Sequence, residues 1–170
     1  LSNARSQFGA VAYNNKIYIL GGLTTSTTVL SSNTVQAATI NPTGTLNTWS
    51  TTGMTALTSN RYGLTAQVYN DTLYVIGGDL TFTGTPISTV EYAKLNSDGT
   101  MNSWVTTSSM ATSGRLSLGG SFTTIYSGYM YIVGGCTAVN GSGYCTGIGT
   151  DIQLASINAD GSISEWNTVL

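Results

Sequence analysis

The chain contains one sequence pattern three times, and this repeat restricts the fold more than any other feature. The pair Gly21-Gly22 recurs as Gly77-Gly78 and Gly134-Gly135, at intervals of 56 and 57 residues. A similar apolar tetrapeptide precedes each pair: IYIL, LYVI and MYIV. Later in each repeat an alanine and a tryptophan lie eleven positions apart, as Ala93 and Trp104 do. A repeat of this length indicates a solenoid, a propeller or a similar array of one supersecondary unit.

Each repeat predicts four β-strands. The first strand is FGAVAY, LTAQVY or, less regularly, GGSFTTIY, and it is followed by NN, ND or SG, which suit a tight hairpin. The second strand is the apolar tetrapeptide, which we expect to be buried on both faces. The third strand mixes apolar and polar residues, and a second hairpin follows with Gly44, Gly99 or Gly161 at its left-handed position. The strand that carries the tryptophan is the most polar, as expected of an outer edge.

This arrangement resembles the kelch repeat. The matching residues are the three double glycines, the preceding tyrosines, the late tryptophans and an arginine at the start of each repeat: Tyr18, Tyr74 and Tyr131; Trp49, Trp104 and Trp166; Arg5, Arg61 and Arg115. The resemblance implies an all-β fold, a kelch-like β-propeller with three four-stranded antiparallel blades at approximately 1–53, 54–108 and 109–170. The period is longer than the usual kelch unit, and the third repeat is enlarged. We expect both differences to lengthen loops.

Three blades do not close a propeller, which typically has about four to eight. We therefore expect the chain to form part of a ring of about six to eight blades. The chain begins at Leu1 rather than at a methionine, and we interpret it as a piece of a longer protein. The other blades then come from the parent chain, which we favour, or from a second copy of this chain.

Charge and cysteine content restrict the partners and the compartment. Five basic and seven acidic residues give no basic patch for nucleic acid, and no apolar run is long enough for a membrane span. Cys136 and Cys145 lie nine positions apart, which suits a disulfide and an oxidising compartment. Two free thiols are the alternative. We predict an extracellular or cell-surface protein, on which Asn70 and Asn140 head sequons that matter only if the source glycosylates.

The segments between the second and third strands are the candidate binding surface, because they vary while the hairpins on the opposite side are uniform. They span thirteen positions from Gly22 to Val35, twelve from Gly78 to Val90 and seventeen from Gly135 to Ile152. The candidate ligand contacts in and beside them are Arg5, Arg61, Arg115, Asp79, Phe82, Tyr144 and Asp151. Each of the four non-arginine residues could equally serve loop packing or solvation. The kelch resemblance leaves the arginines open between a structural role and ligand contact.

The absence of histidine argues against an enzyme. Without histidine the chain cannot form a Ser-His-Asp or Cys-His catalytic arrangement. It also lacks the histidine ligands that kelch-type copper oxidases need. The NSDG and NADG turns lack the further oxygen ligands of a calcium loop, so we predict no metal and no cofactor. We favour a non-enzymatic extracellular module that binds carbohydrate or protein or builds a surface assembly. One alternative is a sugar-processing propeller enzyme of the mutarotase type, with part of its site on missing blades. A second is an intracellular ubiquitin-ligase adaptor of the kelch type, and the predicted disulfide disfavours this second alternative.

Overall fold

The structure is a computed structural model that describes residues 1, 3–25, 29–80, 85–116, 122–140 and 144–169. These residues form strands, turns and irregular segments, with no helix among them. Accordingly, the described part of the chain includes no helix long and apolar enough to cross a membrane. The strands in chain order are β1 (Arg5–Ser6), β2 (Gly9–Tyr13), β3 (Lys16–Leu20), β4 (Leu23–Thr25), β5 (Val29–Ser31), β6 (Val35–Thr39), β7 (Thr65–Tyr69), β8 (Thr72–Ile76), β9 (Val90–Lys94), β10 (Val105–Thr107), β11 (Thr123–Tyr126), β12 (Tyr129–Val133), β13 (Cys136–Val139), β14 (Cys145–Ile148), β15 (Ile152–Ser156) and β16 (Asn167–Thr168).

Three antiparallel sheets, one for each repeat, form the body of the molecule. Blade 1 contains β2, β3 and β6, blade 2 contains β7 to β10, and blade 3 contains β11, β12, β15 and β16. The predicted four-stranded blades are therefore present in the second and third repeats. In blade 1 the fourth strand is shorter than predicted and is reduced to one bridge, between Ala37 and Ser50. Strand order follows chain order in each blade, so every blade is a meander folded from its own repeat.

Tight turns join the first two strands of each blade, as predicted. Asn14 and Asn15 have φ of 45° and 56°, and Asn70 and Asp71 have 45° and 55°. Asparagine and aspartate tolerate this left-handed region better than most residues, and two such residues in succession match the twist of a two-residue hairpin. These turns and the outer hairpins lie at one end of the blades, which we call the turn face. The double glycines, the segments between second and third strands, and the connections between blades lie at the other end, the loop face.

Hydrophobic cores fill the spaces between neighbouring blades. Tyr18 and Leu20 of blade 1 pack with Leu73 and Trp104 of blade 2 in the first core. The second core joins blade 2 to blade 3 and contains Tyr74, Ile76, Phe122, Met130 and Trp166. The middle of β8 is fully buried on both faces because a core lies on each side of it. The predicted two-sided burial of the second strand is thus confirmed in blade 2.

The two outer faces of this three-blade array have no neighbouring blade. On the outer face of blade 1, Leu46 is 41% exposed, whereas its repeat equivalents Met101 and Ile163 are 7% and 3% exposed. On the outer face of blade 3, Val133 is 53% exposed, whereas its equivalent Ile76 is fully buried. Both surfaces therefore carry residues of an inter-blade core without the partner that would bury them.

Extra hairpins occupy the segments between the second and third strands, where the sequence predicts variable loops. In blade 1, β4 and β5 pair with each other and β4 also pairs with β1. In blade 3, β13 and β14 form a hairpin closed by the Cys136–Cys145 disulfide, which confirms the predicted pairing. The base of each segment is closed by the same backbone hydrogen bond from the first glycine of the pair: Gly21 N to Thr34 O (3.0 Å), Gly77 N to Thr89 O (3.1 Å) and Gly134 N to Asp151 O (3.0 Å).

Candidate binding site

The double glycines join neighbouring blades at the loop face. The amide of Gly22 donates to the carbonyl of Arg61 at 2.9 Å, and that of Gly78 donates to the carbonyl of Arg115 at 2.7 Å. A Cβ atom on Gly77 would lie 2.3 Å from the Arg115 carbonyl oxygen, so a side chain there would push the next blade away. Gly77 also has φ of 62°, which side chains rarely adopt. The glycines of the first two pairs are therefore architectural.

The arginines at the blade starts form hydrogen bonds and ion pairs within the protein. Arg61 is 1% exposed and forms an ion pair with Glu91, and it also donates to the Gly77 carbonyl at 3.3 Å. Burial lowers the pKa of Arg61, and the Glu91 charge opposes that effect. Glu91 accepts a further hydrogen bond from the Thr58 hydroxyl at 2.6 Å. This pair ties the connection between blades 1 and 2 to the third strand of blade 2.

Arg115 has the same place in blade 3 but a different carboxylate partner. It is 1% exposed and pairs with Asp151, while its Nε donates to the Gly134 carbonyl at 2.8 Å. Arg5 in blade 1 is half-buried and donates to the Gly21 carbonyl and the Thr34 hydroxyl, each at 2.6 Å. At 1% exposure Arg61 and Arg115 lie beneath the loop face rather than on it.

Both predicted aspartates are also engaged within the protein. Asp79 is 1% exposed and accepts a hydrogen bond from the Tyr62 hydroxyl at 3.2 Å. Burial, together with the Asp79 charge and this hydrogen bond, raises the pKa of Tyr62 to about 12. Asp151 accepts hydrogen bonds from Thr112 at 3.0 Å and from Gln153 at 2.7 Å. Burial acts to raise the pKa of Asp151, but these hydrogen bonds and the Arg115 charge outweigh it and lower the pKa.

Tyr144 lies on the disulfide hairpin and projects into solvent with 72% of its surface exposed. Its backbone amide donates to the side chain of Asn140 at 3.0 Å, which closes the tip of the hairpin. Ile148 on the same hairpin is 77% exposed. Phe82, which the sequence also predicts as a ligand contact, lies outside the described residues.

An open depression of about 410 Å³ lies on the loop face between blades 1 and 2, lined by Leu30, Ser31, Ser59, Asn60 and Leu80. The Ser31 hydroxyl donates to the Leu80 carbonyl at 2.7 Å, which joins the β4–β5 hairpin to the corresponding segment of blade 2. Leu30 is 58% exposed and Leu80 is 38% exposed, although both are large apolar side chains. Two loops and one inter-blade connection therefore create a surface that combines apolar area with neutral polar groups.

The sequence pattern identified two of the segments that line this depression. It did not identify the connection between blades 1 and 2, which also lines it. Leu30, Ser31 and Leu80 lie in the variable segments that the sequence singles out. Ser59 and Asn60 belong to the connection between blades, and the signal for them was their place directly before Arg61. Each such connection lies at the loop face because it leads into a first strand that starts there.

The site has few groups for acid–base or metal chemistry. All seven carboxylates lie among the described residues, and none of them lines the depression. Those nearest the loop face, Asp79, Glu91 and Asp151, take part in the hydrogen bonds and ion pairs described above. Within the described ranges no three Cys, Asp or Glu side chains come together as a metal site. The arrangement is therefore suited to binding through apolar contacts and neutral hydrogen bonds.

Comparison with known proteins agrees with this architecture. The Kelch motif matches residues 4–36, which include the first arginine and the first double glycine. No curated protein sequence is significantly similar to the chain. The structure of YjhT, a kelch-type propeller protein, is similar with a TM-score of 0.67 and 13% sequence identity. The match covers 98% of this chain and 52% of YjhT, so the chain spans about half the length of that structure.

Proposed function

We propose that this chain, which carries a Kelch motif and has the fold of a kelch-type β-propeller, acts as a non-enzymatic binding module of an extracellular or cell-surface protein. The ligand-binding surface is the depression between blades 1 and 2. The observation that carries the proposal is the exposure of Leu30 and Leu80 beside Ser59 and Asn60 on the rigid loop face. Loops on a rigid scaffold are where binding residues concentrate in proteins generally.

The lining of the depression favours a protein ligand over a carbohydrate. Its two leucines supply apolar area for an aliphatic or aromatic side chain, and its serines and asparagine can pair with the neighbouring peptide groups. Among the described residues no charged side chain lines the depression, so the proposed ligand is an uncharged peptide segment with an apolar side chain at its centre. A flat peptide contact with a buried apolar anchor is a common arrangement at protein interfaces.

An extracellular setting is supported by the disulfide and by the low charge of the chain. Cys136 and Cys145 are bonded with their Cα atoms 5.8 Å apart, within the usual range for disulfides. Disulfides persist in oxidising compartments and are rare in the cytosol. A catalytic role finds no support in the described site, since acid–base catalysis needs a positioned proton donor or acceptor beside the ligand.

Peptide-display panning against the immobilised chain tests this proposal. Selected peptides are synthesised, and their affinities are measured for the wild type, for Leu30→Asn and for Leu80→Asn. We expect each substitution to raise the Kd about tenfold, because each removes one apolar anchor, typically worth about 1–2 kcal/mol. Val105→Asn is the matched control, since Val105 is 48% exposed on the outer strand of blade 2. The proposal would be contradicted if the selected peptides bound Leu30→Asn and Leu80→Asn as tightly as the wild type. It would also be contradicted if a glycan array gave ligands where peptides did not.

A further inference from the structure

A small cavity lies on the turn face between blades 2 and 3, at the opposite end of the blades from the loop-face depression. Its volume is about 110 Å³. One water molecule requires about 10–15 Å³ of such space, so the cavity has room for a small molecule. Blade 2 forms one wall with Tyr69, Thr72 and Lys94, and the outer hairpin of blade 3 forms the other with Asn158 and Gly161. The Tyr74 hydroxyl joins the two walls by donating to the Gly161 carbonyl at 2.9 Å.

Lys94 is the one charged side chain among the described residues that line this cavity. Its Nζ donates to the Thr72 hydroxyl at 2.8 Å, and that hydroxyl donates in turn to the Asn70 carbonyl at 3.1 Å. An ammonium group has three N–H donors. Within the described ranges Lys94 forms no other hydrogen bond and no ion pair. Two of its donors are therefore available to a ligand in the cavity.

The interface between blades 1 and 2 shows which group pairs with a tyrosine at this place. There the Tyr13 hydroxyl donates to the Asp71 carboxylate at 2.8 Å. Tyr13 and Tyr69 are equivalent, since each ends the first strand of its blade. Asp71 and Gly128 are also equivalent, since each directly precedes the second strand. Blade 3 therefore has a glycine where blade 2 has the carboxylate that Tyr13 contacts.

The space that this carboxylate would occupy in blade 3 lies within reach of Tyr69. A Cβ atom on Gly128 would lie 3.8 Å from the Tyr69 hydroxyl oxygen. Asp71 and Gly128 have φ of 55° and 78°, so both turns have the same left-handed conformation. The Tyr69 hydroxyl has no hydrogen-bond partner in the described part of the chain. The interface between blades 2 and 3 thus has the donor of this contact without its acceptor.

Each of the two interfaces also has a lysine beside its outer hairpin, although on different strands. A Cβ on Gly99 would lie 2.3 Å from the Lys16 Cε, and a Cβ on Gly161 would lie 3.0 Å from the Lys94 Nζ. Lys16 is on β3, paired with Tyr13 across the sheet, whereas Lys94 is on β9. The phenol and the ammonium group therefore occur at both interfaces, while the aspartate of the hairpin turn is present only between blades 1 and 2.

The nearby Asp160 does not supply the missing carboxylate. It lies on the exposed outer hairpin of blade 3, where it accepts hydrogen bonds from the Ser162 amide at 2.9 Å and from the Ser162 hydroxyl at 2.7 Å. These hydrogen bonds lower the pKa of Asp160, and the Lys94 charge has a smaller effect in the same direction. Asp160 is thus held within its own turn, and it does not line the cavity.

We propose that this cavity binds the carboxylate group of a small organic acid, in the place that the Asp71 side chain has at the neighbouring interface. Lys94 Nζ and the Tyr69 hydroxyl donate to the carboxylate oxygens, and Ile157 and Ala159 contact the aliphatic part of the acid. A single ammonium group matches the single charge of a carboxylate, whereas phosphate sites use arginine forks or several backbone amides. The site is separate from the proposed peptide surface, and neither depends on the other.

NMR titration of the ¹⁵N-labelled chain with sodium acetate, at pH 7 and constant ionic strength, tests the proposal. We expect saturable shifts of the amides of Asn70, Gly128 and Gly161 with acetate. Acetamide, a neutral molecule of the same shape, and inorganic phosphate should produce none. Lys94→Met should raise the Kd for acetate about tenfold or more, because a charge-assisted hydrogen bond is lost. Lys16→Met, at the matched lysine of the other interface, should leave the Kd unchanged.

Three results would overturn the proposal. The first is the absence of saturable shifts with acetate. The second is binding of acetamide or phosphate as tight as that of acetate, and the third is an unchanged Kd in Lys94→Met. Circular dichroism spectra of both lysine variants verify that they are folded.

Substitutions in the hairpin turns examine the same site without changing its donors. Gly128→Asp supplies an internal carboxylate and should abolish the acetate shifts. Gly128→Asn adds a similar volume without charge, as Asn15 does in blade 1, and should weaken acetate binding less. Asp71→Gly should create a second acetate site beside Tyr13 and Lys16. Acetate binding as tight in Gly128→Asp as in the wild type, or no second site in Asp71→Gly, would contradict the equivalence on which the proposal rests.

Discussion

Removing the carboxylate from the buried Arg61–Glu91 pair should be one of the most destabilising polar substitutions in this chain. Both side chains are almost fully buried, at 1% and 2% exposure. Glu91→Gln keeps an acceptor for the Thr58 hydroxyl but leaves the Arg61 charge without a counter-ion. Breaking a buried ion pair from one side typically costs about 3–5 kcal/mol. We therefore expect a loss of that size in the free energy of unfolding, measured by urea denaturation at pH 7.

The repeat itself supplies a rescue variant for this experiment. Glutamine is the natural residue at the equivalent positions of blades 1 and 3, Gln36 and Gln153, and in blade 3 the carboxylate is at Asp151 instead. The blade 2 equivalent of Asp151 is Thr89, whose hydroxyl is buried and has no hydrogen-bond partner among the described residues. Thr89→Asp in the Glu91→Gln background moves the carboxylate to the place used in blade 3, and we expect it to recover at least half of the lost stability.

Two outcomes would refute this reasoning. A loss below about 1 kcal/mol in Glu91→Gln would mean that the pair behaves like a surface ion pair despite its burial. A double variant no more stable than Glu91→Gln alone would mean that the position of the carboxylate, and not its charge alone, decides the stability of the Arg61 site. Circular dichroism before denaturation provides the control for correct folding.

Three further predictions concern other contacts. Because the pKa of Asp151 is lowered below its ordinary value of 3.8, its contribution to stability is present above that pH and is lost as the pH falls through the folded value. Asp151→Asn should therefore flatten the pH dependence of the unfolding free energy below that ordinary value. Replacing Cys136 and Cys145 by serine should lower the unfolding free energy by about 2.5 kcal/mol, the chain-entropy estimate for a loop of this length, and an unchanged value in denaturant titrations would contradict it. Tyr74→Phe removes a buried inter-blade hydrogen bond and should lower the unfolding free energy by about 1–3 kcal/mol, whereas Tyr126→Phe, at a hydroxyl exposed on the turn face, should leave it unchanged within about 0.5 kcal/mol.

The repeat made the blades predictable because the residues that define them act locally. The Asn-Asn and Asn-Asp turns fix their hairpins through two successive residues of positive φ, and the apolar second strand needs only a neighbour on each side. The apolar tetrapeptide of the second strand is nevertheless buried to different extents in different blades. Ile76 is buried and Val133 is exposed because burial depends on whether a following blade exists, and that information is not in the tetrapeptide.

The candidate site was less predictable because its residues acquire their roles through partners far along the chain. Arg61 and Glu91 are thirty positions apart, and their pairing requires the connection and the third strand to meet at one end of the blade. Sequence patterns therefore place a charged residue at a loop boundary without indicating that it is buried. Leu30 and Leu80 were likewise ordinary members of variable segments until the packing of two neighbouring blades exposed them beside one another.

A hydrogen bond closes the base of each loop-face segment. Because of this bond, the stability of the blade does not depend on the length of the segment. The same glycine amide meets the same carbonyl position in all three blades, although the enclosed segments differ by up to five residues, as between Gly78–Val90 and Gly135–Ile152. Loop length contributes only slowly to closure entropy, so foreign segments inserted between the glycine pair and the third strand should leave the sheets intact. Each blade can therefore hold a loop of variable sequence on a fixed base. A library based on this chain would vary three neighbouring loops on one scaffold.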